Sequence, residues 1–112
     1  MSERATPTDV DPAVANEALS TIANEPRLRI VIALGDESSG AGYAMLPFSE
    51  VGEAAGIEDN GRLNYHLTRL VEWEYVASVD AGYRLTLRGL KAYQAVKSGF
   101  YADDFEIGRA HV

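Results

Sequence analysis

The stretch Leu28-Arg29-Ile30-Val31-Ile32-Ala33-Leu34 is apolar on most sides when wound as a helix, instead of along one stripe. A helix of that kind has to be surrounded, because every face left in water would expose hydrocarbon. The remainder of a 112-residue chain must therefore pack around it as a single domain with one core. Pro26 is tolerated in the first turn of this central helix, and Gly35 is expected to end it.

The same arithmetic closes off several classes of protein. With 46% hydrophobic residues the chain is too apolar to be disordered throughout. Its longest strong apolar run, Ile30 to Leu34, falls far short of the roughly 20 residues needed to span a bilayer. The polar start Met1-Ser2-Glu3-Arg4-Ala5-Thr6-Pro7 lacks the apolar segment of a secretory signal, so a cytoplasmic location is expected. The absence of cysteine removes disulfides, thiolate metal ligands and a thiol nucleophile. No phosphate-binding loop, Gly-x-Ser-x-Gly elbow or His-Glu-x-x-His segment occurs, and enzymatic activity is not expected.

Around the central helix the chain divides cleanly. Residues 1–10 have no apolar period and read as a disordered leader, residues 11–101 as the folded domain, and residues 102–112 as a tail without period. Asp11-Pro12 marks a helix start, with Val14, Ala18, Leu19 and Ile22 on one face. The cluster Asp36 to Gly42 is a loop, and Tyr43 to Phe48 is a candidate short strand. Ser49 is placed to cap a two-turn helix whose small apolar face is Val51, Ala54 and Ala55, ending at Gly56. Asp59 or Asn60 can cap the next helix, from Arg62 to about Glu74. There Leu63, Leu67, Leu70 and Val71 recur at i, i+4, i+7 and i+8, which leaves Gly61, Arg62, Tyr65, Thr68, Arg69 and Glu72 on the opposite side. Tyr75 to Val79 and Tyr83 to Thr86 flank Asp80-Ala81-Gly82 as a hairpin, and Leu87 to Ser98 completes the domain as a helix. The fold class is thus mainly α with a small β-hairpin, an α+β arrangement in the order α-α-β-α-α-β-β-α.

Three segments carry a family resemblance in the right order: Asn24-Glu25-Pro26-Arg27-Leu28-Arg29-Ile30, Leu63-Asn64-Tyr65-His66-Leu67-Thr68-Arg69-Leu70, and Tyr83-Arg84-Leu85-Thr86-Leu87-Arg88-Gly89. The chain resembles the winged helix-turn-helix proteins, and within them the ArsR-like regulators, including versions found in halophilic archaea. The resemblance implies a sequence-specific, double-stranded DNA-binding transcriptional regulator, with the helix at about 60–73 entering the major groove and the hairpin 75–86 as wing. A groove about 12 Å wide admits one helix, which must bury one side and offer the other to the bases. Asn60, Gly61, Arg62, Asn64, Tyr65, Thr68 and Arg69 are the residues offered, with Arg84 and Arg88 directed at flanking phosphate. Such proteins usually pair as homodimers over two half-sites. Leu19, Ile22, Tyr93, Val96 and Phe100 are the candidate dimer seam, with the intramolecular core as the alternative for Tyr93, Val96 and Phe100. The metal sensing of many ArsR-like proteins is not carried over, since cysteine and a close histidine pair are absent. No metal or other cofactor is expected, and His66 reads as a packed or hydrogen-bonded structural residue.

Charge complicates the picture. The formal net charge is −7, and only Lys91 and Lys97 among the ten bases are lysines. This balance fits an ordinary acidic protein or adaptation to a very salty, halophilic cytoplasm. Residues 1–47 carry three bases and seven acids, residues 48–101 six and seven, and residues 102–112 one and three, so the bases concentrate in the middle. Glu58, Asp59, Glu72 and Glu74 nevertheless flank the proposed DNA face. An alternative expectation is therefore a winged-helix protein-protein interaction module without DNA binding.

Overall fold

The computed structural model describes residues 10–38 and 44–102. It contains α1 (Pro12–Ile22), α2 (Glu25–Ser38), α3 (Phe48–Ala55), α4 (Asn60–Glu72), β1 (Val76–Val79), β2 (Gly82–Leu85) and α5 (Leu87–Ser98). The fold is mainly helical with one antiparallel hairpin, as the apolar patterning requires. The expected leader and tail fall almost wholly outside the described residues, as does most of the loop before Ala44.

Helix α2 is the axis of the domain. It contacts α3, α4, α5 and β2, and Ile30, Val31 and Leu34 have no solvent exposure at all. Their neighbours in the core are Val51 and Ala55 from α3, Leu63, Leu67 and Leu70 from α4, and Val76 and Leu85 from the hairpin. The helix does not end at Gly35. It continues to Ser38, and Gly35 lies buried beneath the ring of Tyr93, where any Cβ would collide with that ring. The missing side chain serves the close approach of α5, not helix termination.

Three further expectations are corrected. Tyr43 to Phe48 does not form a strand: among the described residues Leu46 makes a single antiparallel bridge to Tyr83, and Phe48 already begins α3. Pro47 explains the truncation, since it has no N–H to donate to a ladder and fits the entry to a helix. The observed order is therefore α-α-α-α-β-β-α. Ser49 is not the cap of α3, because that position is taken by Pro47, which makes no side-chain cap bond. Ala54, expected on the apolar face, is exposed, while Val51 and Ala55 are buried.

The other helix starts follow their sequences. Asp11 caps α1 by accepting from the Ala13 N–H at 2.9 Å, and Thr86 caps α5 by accepting from the Gly89 N–H at 3.0 Å. The expected apolar face of α1 splits: Ile22 is buried, whereas Val14 and Leu19 are 56% and 63% exposed.

The hairpin pairs Val76 with Leu85 and Ser78 with Tyr83, so Val76 and Leu85 reach the core and Ala77 and Arg84 share the other face. It is fixed to α5 at Gly89, whose α-carbon passes so near the Tyr75 carbonyl that a Cβ would overlap it. Gly89→Ala should accordingly lower stability by about 1–3 kcal/mol in urea-induced unfolding. A variant as stable as the parent would show that the approach is not tight.

Candidate nucleic-acid interface

The junction of α3 and α4 is a short turn with both ends chemically defined. Gly56 closes α3 in the left-handed conformation at φ 71°, where a side chain would be strained. Asp59 opens α4: its Oδ1 accepts from the Gly61 N–H at 2.8 Å and the Arg62 N–H at 3.3 Å. Of the two expected caps, Asp59 holds the position and Asn60 is the first helical residue.

Leu63, His66, Leu67 and Leu70 are buried on one side of α4. Asn60, Gly61, Arg62, Asn64, Tyr65 and Thr68 are exposed on the other, with 55% of Tyr65 open to solvent. The structure thus brings six of the seven helix candidates together on a free surface. Arg69 stands apart. It is half-buried toward α1 and its guanidinium bonds Glu72 at 2.9 Å. Thr68 and Val71 border the hairpin through Ser78 and Tyr83, so the exposed face of α4 runs between α1 and the strands.

Beneath this face lies a polar contact that the sequence reading passed over. Arg27 of α2 is only 8% exposed, yet its Nε donates to His66 Nδ1 at 3.0 Å and its Nη1 to the Thr21 carbonyl at 2.9 Å. The same guanidinium lies 5.6 Å from the centre of the Tyr65 ring, within cation–π range. Three helices are joined by one side chain. Burial first, then the charges of Arg27 and Arg62, hold the His66 imidazole below its usual pKa. It is neutral, with its proton on Nε2 so that Nδ1 can accept. His66 is therefore a hydrogen-bonded structural residue in this fold. A signal was available: Arg27 precedes Ile30, Val31 and Leu34 by three, four and seven residues, which places it on the core side of α2.

The basic residues near the hairpin are less available than expected. Arg84 sits on the outer face of β2, half-buried, with Nη1 donating to the Leu85 carbonyl at 3.3 Å. Arg88 is engaged at the end of α4: its Nη1 donates to the Trp73 carbonyl at 2.7 Å, and its Nη2 lies 4.0 Å from Glu74. Around the same corner the Tyr75 N–H returns to the Leu70 carbonyl at 2.9 Å, and Thr86 Oγ1 donates to the Glu74 carbonyl at 2.5 Å. Glu74 itself adopts φ 62° to make this turn.

The candidate seam also separates. Leu19, Ile22, Leu28, Ile32, Val96 and Phe100 line an apolar groove of about 610 Å³ between α1, α2 and α5. Leu19 and Phe100 stand 63% and 65% exposed at its edge, whereas Ile22 is 8% exposed and belongs to the core. Tyr93 does not line the groove. It covers Gly35 and donates its hydroxyl to Asp36 Oδ1 at 2.6 Å, both contacts within its own chain.

The chain belongs to the family defined by a domain of unknown function, DUF7347, whose model matches residues 15–96. That span runs from within α1 almost to the end of α5 and includes the whole exposed face of α4. No curated protein and no solved structure gives a significant match. Among the described residues no helix is long and apolar enough to cross a membrane.

Asp59→Ala should remove the α4 cap at a cost of about 1 kcal/mol. Hydrogen exchange should quicken at Gly61 and Arg62 and stay unchanged at Leu70. Uniform acceleration along α4 would contradict a local capping role.

Proposed function

We propose that this protein is a sequence-specific, double-stranded DNA-binding transcriptional regulator of the winged helix-turn-helix, ArsR-like kind. In this reading α3 and α4 form the helix-turn-helix, α4 enters the major groove, and the β1–β2 hairpin is the wing. The observation that carries it is the division of α4, with a leucine ridge buried against α2 and Asn60, Gly61, Arg62, Asn64, Tyr65 and Thr68 free on the opposite side. Arg62 and the two asparagines can pair with guanine and adenine edges, and Tyr65 and Thr68 can meet phosphates or thymine methyls. Arg69 and Arg88 act mainly by holding the ends of the interface, since Glu72, Glu74 and the Trp73 carbonyl already engage them.

The protein acts as a homodimer through the apolar groove of α1 and α5, where exposed Leu19 and Phe100 would be covered by the second copy. A two-fold dimer of this kind reads two half-sites about one helical turn apart. The acids Asp59, Glu72 and Asp80 around α4 and the hairpin tip weaken the electrostatic contribution to binding, so hydrogen bonds and shape carry more of it. That acidic rim also favours a second reading, a protein interaction module that binds no DNA.

Selection of bound fragments from random duplexes over a range of salt separates the two. A regulator enriches a short, dyad-symmetric motif; enrichment of nothing at any salt would favour the module. On the selected duplex, Arg62→Ala should weaken binding by about 1–3 kcal/mol and relax preference at one base, whereas Arg84→Ala should weaken all sequences evenly. Equal effects of both variants on selected and random DNA would count against the assignment. Leu19→Glu combined with Phe100→Glu should convert a sedimenting dimer to a monomer without unfolding the domain.

A further inference from the structure

We propose that the Arg27–His66 contact is a proton-operated latch, closed when His66 is neutral and opened when it is protonated, that docks α4 onto α1 and α2. The guanidinium of Arg27 is permanently charged and almost fully enclosed, and the acceptor for its Nε is His66 Nδ1 at 3.0 Å. A proton on Nδ1 would set N–H against N–H at that distance and place a second cation beside the first. Both the hydrogen bond and the electrostatic balance would reverse together.

The surroundings offer the new cation little compensation. Facing His66 are Arg27 from α2, and Arg62 and the Tyr65 ring from its own helix. Glu17 and Ser20 of α1 and Arg69 of α4 line the polar pocket that Arg27 also borders, but among the described residues no carboxylate comes within ion-pair distance of Arg27 or His66. Opening therefore has a direction. Either Arg27 leaves toward the pocket, giving up the Thr21 carbonyl at the end of α1, or α4 shifts away from α2; each breaks the cation–π contact with Tyr65.

The depressed pKa of His66 fixes the sign of the pH dependence. The unfolded chain takes up the proton first, near the ordinary value of about 6.5. The stability contributed by the latch is complete above that pH and is lost as the pH falls toward the lower folded value. On the regulator reading, affinity for DNA falls over the same range because Tyr65 and Arg62 move with α4; this last step depends on that reading, whereas the latch does not.

The test compares the intact chain with His66→Asn, whose side-chain oxygen can stand in for Nδ1 as acceptor and does not titrate. Melting temperature and amide exchange are followed from pH 7.5 to 5. The parent should lose melting temperature and protection in α4 and at the end of α1, and the variant should lose distinctly less of both. Parallel behaviour of the two proteins would overturn the latch. Should His66→Asn fail to fold, the parent alone decides the matter through the nitrogen–nitrogen coupling between Arg27 Nε and His66 Nδ1 in NMR. Loss of that coupling on acidification, together with α4 protection, supports the latch; its absence at pH 7.5, or its persistence with His66 protonated, refutes it. Duplex binding by the parent is measured in parallel: no binding at any pH would reject the regulator reading and leave the latch result intact.

Discussion

Enclosure of α2 is the constraint on which the remainder of the molecule depends. A helix that is apolar on most sides makes α3, α4, α5 and the hairpin into walls around it, and each wall then has one inner and one outer side. The outer side of α4 is free only because the inner side is committed to α2 through Leu63, Leu67 and Leu70. Arg27 is the exception in this enclosure. A permanently charged group in such a place must have every donor it turns inward accepted, and this explains why His66 and the last turn of α1 converge on the same point.

Much of this was legible in the sequence because it is written in local patterns. The leucine spacing of α4, the Asp59 and Asp11 caps and the hairpin around Gly82 depend on residues near one another in the chain, and each element formed where its pattern lies. What failed was decided at a distance. Gly35 resembles a helix stop, yet it is a contact point for Tyr93, 58 positions further on. Tyr93 reads as part of an apolar seam, yet its ring is claimed by that glycine and its hydroxyl by Asp36. A β-prone run before α3 was cut to one bridge by Pro47. For the candidate interface, periodicity identified the exposed side of α4, but could not foresee that Arg69 and Arg88 would be drawn to nearby acids and carbonyls.

The acidic balance has a particular meaning when it is mapped on this fold. Arg69 is held by Glu72 and Arg29 faces Glu25, so two of the bases are paired with acids of their own helices. Long-range attraction to a polyanion is correspondingly weak. In molar salt, where the screening length falls to about 3 Å, little of it would survive in any case, and contacts made at hydrogen-bond distance become decisive. If the chain binds DNA as proposed, recognition rests on fit instead of on net positive potential.

The corner between α4 and the hairpin sets a different kind of limit. Tyr75 returns to Leu70, Thr86 reaches Glu74, and Arg88 grips the Trp73 carbonyl, so helix and strands are clamped together from three directions. Together they have the form of a caliper. On the proposed regulator reading, exchanging side chains along its jaws alters what is gripped, while the opening between the jaws stays constant. If α4 reads DNA as proposed, divergence along these jaws would change the letters of a target far more readily than the spacing between them.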